Sequence, residues 1–306
     1  MRFLVLGGSG FLGRSTAHWL VRRGHSVRSF DLATPQLHDA TGPAVEYVEG
    51  NFLNPSDVEA ALHGGIEVVL HFISTTVPAT SIDNVPVEVE TNVLATVRLL
   101  DLMARREIRR IGFPSSGGTI YAAGPEPHTE DEIPAPTCPY GLGKLMIEQT
   151  LHFYRSRHGI EHQIWRISNP YGDVCKTHAS QGAIDAFLYK VRAGLPIQLW
   201  GQGKAVRDFI FVDDVAEAIG RLLESDRWGV TVNVGSGGGV SIAQVVDLIR
   251  RVVPCQVAVE MHQGYTGPSH AVLDTNRLQQ LVKWKPAFDL AAGVSEAWKR
   301  LHSPKQ

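Results

Sequence analysis

A tyrosine and a lysine four residues apart are the side chains in this sequence best suited to moving a proton. Tyr140 and Lys144 lie in helix-forming sequence that continues to about Tyr154, and residues four apart share one face of a helix. An ammonium group near a phenol stabilises the phenolate and lowers its pKa, so the tyrosine can act as acid or base near neutral pH. By itself the pair could also be an exposed contact on a helix surface. Whether the pair transfers a proton depends on which other residues the fold places beside it.

Three glycines near the N-terminus have the spacing of a phosphate-binding turn. The apolar run Met1–Leu6 predicts a buried strand, which leads directly into Gly7-x-x-Gly10-x-x-Gly13 and then into amphipathic sequence. In such a unit the first glycine permits a tight turn, the second lets the backbone approach a pyrophosphate, and the third lets the helix pack on the strand. The free N–H groups of the first helical turn then face the phosphates. A plain glycine turn without a ligand is the alternative.

An acidic residue follows at the distance expected of a dinucleotide site. Asp31 ends the second predicted strand, Ser26–Phe30, and lies eighteen residues after Gly13. Dinucleotide-binding folds place there the carboxylate that hydrogen-bonds the adenosine ribose. Leu32 and Ala33 come next, so no basic side chain is at hand for a 2′-phosphate. The sequence therefore favours NAD over NADP.

Predicted strands and helices alternate through the first half of the chain. Strands are expected at 1–6, 26–30, 44–49, 67–72, 109–113 and 161–167, with helices at 11–23, 55–63, 85–106 and 140–154. This alternation predicts an α/β fold with a doubly wound parallel sheet of the Rossmann type. Ligands bind such sheets beyond the carboxyl ends of the strands. Those ends carry Gly7–Gly13, Asp31, Asn51, His71–Ser74 and Ser115–Ser116.

The second half of the chain has a less regular pattern of short strands and helices. We expect residues 1–168 to form the NAD-binding domain, with part of 204–240 returning to it. Residues 169–306 would form mainly a smaller mixed α/β lobe that closes over a second ligand. A Pro- and acid-rich loop at 124–139 leads to Tyr140, and a loop of this length in a compact domain is usually functional.

The composition argues against several classes of partner. The 306 residues carry a formal net charge of −2, with 43% hydrophobic and 20% charged residues and no long basic run, which disfavours nucleic acid or an anionic membrane. No apolar run is long enough to span a bilayer. Three scattered cysteines fit neither a disulfide framework nor a zinc site. We therefore expect a cytoplasmic protein without a bound metal.

Together these residues resemble the extended short-chain dehydrogenase/reductases, specifically the NAD-dependent epimerase/dehydratase group that acts on nucleotide sugars. The resemblance covers almost the whole chain and is greatest to the UDP-glucose and UDP-N-acetylglucosamine 4-epimerases. It rests on the glycine turn with Asp31, on Ser115–Tyr121, Tyr140-x-x-x-Lys144, Arg166-x-x-Asn169-x-Tyr171-Gly172, Gly201-x-Gly203, Arg207-Asp208, Asp274-Thr275 and Trp284-Lys285-Pro286.

This resemblance implies the catalytic and cofactor-binding residues. Tyr140 would take the proton from a sugar hydroxyl while hydride passes to the nicotinamide, and Lys144 would hold the nicotinamide ribose. A hydroxyl at the end of the fifth strand would bind the reacting oxygen; the commonest position is Gly117 here, so we assign this role to Ser116, with Thr119 as the alternative. NAD contacts are expected from Gly7, Gly10, Phe11, Leu12, Gly13, Asp31, Asn51, Phe52, Phe72, Ile73, Ser74, Asn92, Tyr140 and Lys144.

The implied substrate is a UDP-sugar. Asn169 matches an asparagine on the sugar nucleotide, and Arg207 matches an arginine on its diphosphate, where a planar guanidinium suits bidentate binding. Trp200 stands where the family has an aromatic near the base, and Ala271 where some relatives have a bulky residue that blocks N-acetylated sugars. Substrate contacts are thus expected from Ser116, Gly117, Thr119, Tyr140, Asn169, Trp200, Arg207 and Ala271.

Two departures from the family pattern concern the nucleotide. Asn51 replaces an aspartate that commonly meets the adenine amino group, although an amide carbonyl can also accept that bond. Residues 264–270 replace the Arg-Pro-Gly-Asp segment that usually precedes Asp274, so its arginine is missing. Arg207 would then be the main diphosphate contact, unless it only forms a surface pair with Asp208.

We therefore expect a UDP-sugar 4-epimerase, in which hydride leaves C4 for NAD and returns to the opposite face of a 4-keto sugar, so that NAD stays bound. A 4,6-dehydratase is disfavoured because Gly117-Gly118 replaces its Asp-Glu pair. A reductase would usually prefer NADPH, and a non-catalytic NAD sensor or scaffold would lose Tyr140 or Lys144. The resemblance also implies a homodimer packed through helices 85–106 and 140–154, with a monomer as the alternative.

Overall fold

A parallel sheet runs through the centre of the molecule. The computed structural model describes residues 1–33, 45–78, 81, 84–122, 127–172, 182–264 and 270–302. The strands are β1 Arg2–Leu6, β2 Ser26–Asp31, β3 Glu46–Glu49, β4 Val68–His71, β5 Arg110–Ser116, β6 Glu161–Ile167, β7 Asn169–Tyr171, β8 Ile197–Trp200, β9 Val206–Phe211, β10 Val230–Val234, β11 Gly239–Ser241, β12 Val259–His262 and β13 His270–Ala271. Seven of these described strands lie in the order β3-β2-β1-β4-β5-β6-β10, all parallel.

Helices cover both faces of this sheet, and its central strands β1 and β4 consist mainly of a short apolar run, as expected of strands buried on both faces. The helices are α1 Phe11–Arg22, α2 Pro55–Ala61, α3 Val85–Glu88, α4 Ala95–Arg105, α5 Pro139–His158, α6 Ala183–Arg192, α7 Val212–Glu224, α8 Ile242–Val252, α9 Asn276–Val282 and α10 Leu290–His302. Side chains from α2, α4 and α5 bury one face, and side chains from α1, α7 and α9 bury the other. The expected doubly wound α/β fold is confirmed.

A smaller lobe lies beyond the carboxyl end of β6. Its strands form a four-stranded sheet, in which β9 pairs with β7, β11 and β13, and a separate β8–β12 pair. A third apolar core lies between these strands and α6, α8 and α10. The chain returns to the central sheet at β10, which pairs with β6. The expectation of a smaller mixed C-terminal lobe is therefore confirmed.

The helical pattern at 85–106 is not one continuous α-helix. A π-helical segment, Val89–Leu94, separates α3 from α4. Within this segment the Asn92 side chain is buried, and the Thr96 hydroxyl donates to the backbone carbonyl of Asn92 at 2.6 Å. π-Helical turns of this kind often mark functional sites. A 3.6-residue pattern does not reveal such a turn, because it changes the winding over only a few residues.

In the residues that the structure describes, every helix is too short or too polar to cross a membrane.

Candidate active site

A cavity of about 620 Å³ opens at the carboxyl ends of the central strands, where the sequence places its chemistry. It is bounded by the glycine turn after β1, the segment after β4, the end of β5, the first turn of α5 and the lobe strands β7 and β9. The predicted residues that line it are Gly7, Gly10, Phe11, Leu12, Gly13, Phe72, Ser74, Ser116, Thr119, Tyr140, Lys144, Asn169 and Arg207. The sheet thus brings two motifs more than 120 residues apart in the chain to one cavity.

The glycine turn has the geometry that a pyrophosphate needs. Gly7 has a φ of +83°, and its N–H donates to the Phe30 carbonyl at 2.8 Å. A Cβ atom on Gly13 would collide with the Gly7 carbonyl, so a side chain there would separate α1 from the turn. Gly10 caps α1 without a side-chain hydrogen bond, and the first turn of the helix has no acidic residue. The free backbone N–H groups of this first turn of α1 therefore suit an anionic ligand such as the pyrophosphate of NAD.

The adenosine side of the expected site lies outside the set of cavity-lining residues. Asp31 ends β2 beside the glycine turn, and its two carboxylate oxygens accept hydrogen bonds from the N–H groups of Ser9 at 3.0 Å and Leu32 at 2.8 Å. The exposed Asn51 accepts a hydrogen bond from the Leu53 N–H at 2.9 Å through its side-chain oxygen. An amide oxygen has a second lone pair, so Asn51 retains one for a ligand.

Three further residues of the predicted cofactor site are held by the protein interior. Phe52 is buried and lies 4.8 Å, between ring centres, from His71. Ile73 packs on the apolar core, and its backbone N–H lies beside Gly7, where a Cβ atom would approach it within 3.0 Å. The Asn92 side chain accepts a hydrogen bond from the Thr75 N–H at 2.9 Å. None of these three residues is among those that line the cavity.

Lys144 is buried beneath Tyr140. Its Nζ donates to the Pro114 carbonyl at 3.0 Å and lies 4.7 Å from the centre of the Phe113 ring. The distance from Nζ to the centre of the Tyr140 ring is 5.3 Å. The predicted pair therefore shares one face of α5, and that face is directed at the end of β5.

Burial dominates the proton affinities of this pair. Burial raises the pKa of Tyr140 well above its usual value, and the charges of Glu88 and Cys138 raise it further. Burial lowers the pKa of Lys144 to about 8, against the opposing effects of Glu88 and Glu148. From the sequence, Lys144 is expected to lower the pKa of Tyr140; in the structure the net direction is upward, because loss of solvation outweighs an ammonium 5.3 Å from the ring centre.

Hydroxyl groups surround the place where a reacting oxygen would lie. Ser116 ends β5, and Thr119 follows it; both line the cavity. The Thr119 hydroxyl is buried, and within the described part of the chain it has no hydrogen-bond partner. Gly117 faces the other way, because a Cβ atom there would strike the Leu273 side chain. Both alternatives for the catalytic hydroxyl therefore stay open.

The lobe contributes two of the four residues expected from it. Asn169 lines the cavity, and its side-chain N–H donates to the Asp208 carbonyl at 2.9 Å. Arg207 also lines the cavity, and its neighbour across the strands is Ala271. Trp200 lies outside the set of cavity-lining residues; its side chain is half exposed and stacks on His262, with the ring centres 4.6 Å apart. Of the segment 264–270, residues 265–269 lie outside the described residues.

Other cavity-lining residues were not among those predicted. Ser115 and Ser168 have buried hydroxyls for which the described residues supply no partner, and Thr76 follows β4. The rule that ligands lie beyond strand ends already places Ser115 at this edge in the sequence, and it could also have found Thr76 and Ser168, which follow β4 and β6. Among the described residues, no three His, Cys, Asp or Glu side chains come together as a metal site would require.

A Rossmann sheet, a glycine turn at the N-terminus of a helix and a buried Tyr–Lys pair together define a dinucleotide-dependent enzyme of the short-chain type. The chain belongs to the NAD dependent epimerase/dehydratase family, whose model matches residues 3–235. This confirms the family, the enzyme class and the cofactor NAD inferred from the sequence motifs.

Curated relatives match over nearly the full length of the chain. The UDP-glucose 4-epimerase of Mycolicibacterium smegmatis is 29% identical over 303 residues, covering 97% of each chain. The dTDP-4-dehydro-6-deoxyglucose reductase of Escherichia coli is 28% identical over 309 residues, covering 97% of this chain and 96% of that one. Among solved structures, the complex of Thermus thermophilus UDP-glucose 4-epimerase with NAD has a TM-score of 0.89 and 26% identity, covering 98% of this chain and 99% of that one.

Proposed function

We propose that this protein inverts C4 of a UDP-hexose through a 4-keto intermediate while NAD stays bound. The observation that carries the proposal is the single cavity lined by the glycine turn, the Tyr140–Lys144 pair and the lobe residues Asn169 and Arg207. The cavity is large enough for the reacting ends of two ligands. Its two kinds of wall suit a dinucleotide on one side and a sugar nucleotide on the other.

The residues around the nicotinamide end would divide the work of proton transfer. NAD, when bound, accepts hydride from the sugar and returns it. Tyr140 would exchange the proton of the C4 hydroxyl, and Ser116 or Thr119 would hydrogen-bond the same oxygen. Lys144 would hold the nicotinamide ribose, and its positive charge opposes the burial that keeps the phenol protonated. Because burial excludes water, the reactive keto sugar would be protected in the cavity.

The lobe residues would bind the nucleotide part of the substrate. Arg207 lies on β9 at the cavity, and its guanidinium can bind a diphosphate with two parallel hydrogen bonds. Ala271 lies beside Arg207 across the strands and carries only a methyl group. We include UDP-N-acetylglucosamine as a candidate substrate on this basis, next to UDP-glucose.

A nucleotide-sugar reductase is the second candidate, because the Escherichia coli reductase is nearly as similar to this chain as the epimerase relatives are. The two functions differ in redox balance. An epimerase needs no added reductant and leaves NAD unchanged, whereas a reductase consumes one reduced cofactor for each product formed.

The experiment is to incubate the purified protein with UDP-glucose, and separately with UDP-N-acetylglucosamine, without added cofactor, and to follow the anomeric protons by NMR. Epimerisation is expected to produce the C4-inverted sugar and to reach the same equilibrium mixture from either epimer. Absence of inversion even with added NAD, together with consumption of NADH or NADPH in the presence of a 4-keto sugar nucleotide, would replace the epimerase with the reductase.

We also propose that the protein is a cytoplasmic homodimer. Five large apolar side chains are exposed on the adjacent segments α3 to α4 and α5: Val85, Val87, Leu94, Leu142 and Phe153. Phe153 is 58% exposed, and such a side chain is well suited to an interface between copies of the chain. Light scattering at micromolar concentration is expected to give twice the 33.5 kDa chain mass, and Phe153→Glu to give the monomer. A wild-type monomer would contradict the proposal.

A further inference from the structure

A buried carboxylate that the proposed mechanism does not use lies next to the proton-transfer site. Glu88, the last residue of α3, is only 1% exposed. A buried ionised carboxylate is costly unless hydrogen bonds or an opposite charge compensate it. The partners of Glu88 are therefore informative about its role.

The backbone of α5 leaves space for this carboxylate at Gly143. A Cβ atom on Gly143 would collide with the carboxylate of Glu88, although Gly143 has an ordinary helical conformation that any residue could adopt. Gly143 directly precedes Lys144 in the chain. The glycine thus serves to admit the Glu88 side chain against the turn of helix that carries the catalytic pair.

A directed chain of hydrogen bonds connects Glu88 to the cavity. The Thr75 N–H donates to the Asn92 side-chain oxygen at 2.9 Å, and the Asn92 side-chain N–H donates to the Thr76 hydroxyl oxygen at 3.3 Å. The Thr76 hydroxyl in turn donates to the carboxylate of Glu88. Because a backbone N–H can only donate, the Asn92 oxygen accepts, its N–H group donates to Thr76, and the Thr76 hydrogen is left for Glu88. Thr76 lines the cavity, and its remaining lone pair can accept a hydrogen bond from a ligand.

We propose that Glu88 is a positioning residue of the proton-transfer site: its buried carboxylate places a negative charge against the turn of α5 that carries Lys144, and it orients the Thr76 hydroxyl as an acceptor toward the cavity. The kinetic part of this inference rests on the proposed epimerase function, whereas the electrostatic part does not.

The charges around the pair are consistent with this role. The charge of Glu88 raises the pKa of Tyr140 and, against the effect of burial, that of Lys144. The other titratable groups that act on them are Glu148 on α5 and Cys138 at its N-cap, and the charge of Lys144 in turn lowers the pKa of His71 on β4. Burial lowers the pKa of His71 to about 3, so this ring is neutral. Loss of the Glu88 charge would therefore lower the pKa of both Tyr140 and Lys144.

The first test is the pH profile of kcat in Glu88→Gln, which keeps the shape and removes the charge. The alkaline limb, set by loss of the Lys144 proton, is expected to move to lower pH by about one unit, as for charges separated by several ångströms in a protein. Glu90→Gln is the matched control, because Glu90 is exposed and only two residues away. Glu88→Asp keeps the charge and is expected to keep this limb near its wild-type position.

A second test measures Lys144 without turnover. In protein carrying 13C-labelled lysine, the Lys144 signal is assigned by its loss in Lys144→Arg and titrated by NMR. The expected pKa is about 8 in the wild type and about one unit lower in Glu88→Gln. An unchanged pKa would overturn the proposal, as would reduced activity in Glu88→Gln with the alkaline limb in place. A wild-type protein without epimerase activity would instead refute the proposed function. The titration of Lys144 would then still test the electrostatic role of Glu88.

Discussion

The two walls of the cavity are built differently. The wall formed by the central sheet and α5 consists of strand ends in register with their neighbours, and Lys144 is held there by a buried hydrogen bond to the Pro114 carbonyl. The lobe wall comes from β7 and β9 of a small four-stranded sheet. Trp200 and Ala271, also expected there, lie outside the cavity-lining set.

This difference separates chemistry from specificity. Parallel strands fix where their carboxyl ends meet, so reactive groups placed there keep their geometry whichever sugar is bound. A small lobe with its own core can change its ligand contacts without disturbing that geometry. Substitutions on the sheet wall should therefore act on kcat, and substitutions on the lobe wall on KM.

The largest effect is expected from Tyr140→Phe, which removes the proton-transferring oxygen and keeps the ring. We expect kcat to fall by about a hundredfold to ten-thousandfold, with bound NAD and the melting temperature unchanged. The matched control is Tyr154→Phe on the same helix, whose hydroxyl donates to Asp101 at 2.6 Å. That change should cost about 1 kcal/mol of stability and leave kcat unaltered. Equal losses of kcat in the two variants would contradict the role of Tyr140.

An intermediate effect is expected from Arg207→Gln on the lobe wall. Loss of a charged, bidentate donor should raise KM for the UDP-sugar about tenfold to a hundredfold, with kcat within about threefold of wild type. Arg250→Gln, an exposed arginine of the same lobe that pairs with Asp247, is the control. If kcat fell and KM stayed constant, Arg207 would act on the chemical step, as expected only of the sheet wall. The proposed division of roles between the two walls would then be wrong.

The smallest effect is expected from Trp200→Ala. Because its ring stacks on His262 outside the cavity-lining set, KM should change by less than about threefold. A rise above about tenfold would instead support the substrate contact that the family resemblance implies. Titration of the free protein with UDP, measured by calorimetry, separates a binding effect from a change in turnover.

The sheet wall could be predicted from the sequence, and the physical reason is its regularity. Gly7, Gly13 and Tyr140 lie in local patterns that predict a turn or a helix, and the alternation of strands and helices predicts that these elements meet at one edge. Their convergence on the cavity follows from the strand order alone. Ser116 and Thr119 belong to the same edge for the same reason.

The lobe wall and the supporting groups could not be predicted in this way. Trp200 lies on a two-stranded pair whose alternate residues face outward, and nothing local in the sequence says which face a ligand would use. Glu88 looks like a solvent-facing acid in a helical pattern, yet the π-helical segment after it and the space at Gly143 bury it. Burial that depends on contacts between segments distant in the chain leaves no periodic signal in the sequence.

The measurement that tests the central claim most directly uses UDP-glucose deuterated at C4 and protein supplied without added cofactor. If hydride leaves C4 and returns to the same carbon from tightly held NAD, the inverted product keeps its deuterium and contains no solvent hydrogen at C4. Tyr140→Phe should slow formation of this product without changing its label. Inversion with loss of deuterium to water, or product formed only with consumption of added reduced cofactor, would contradict the account.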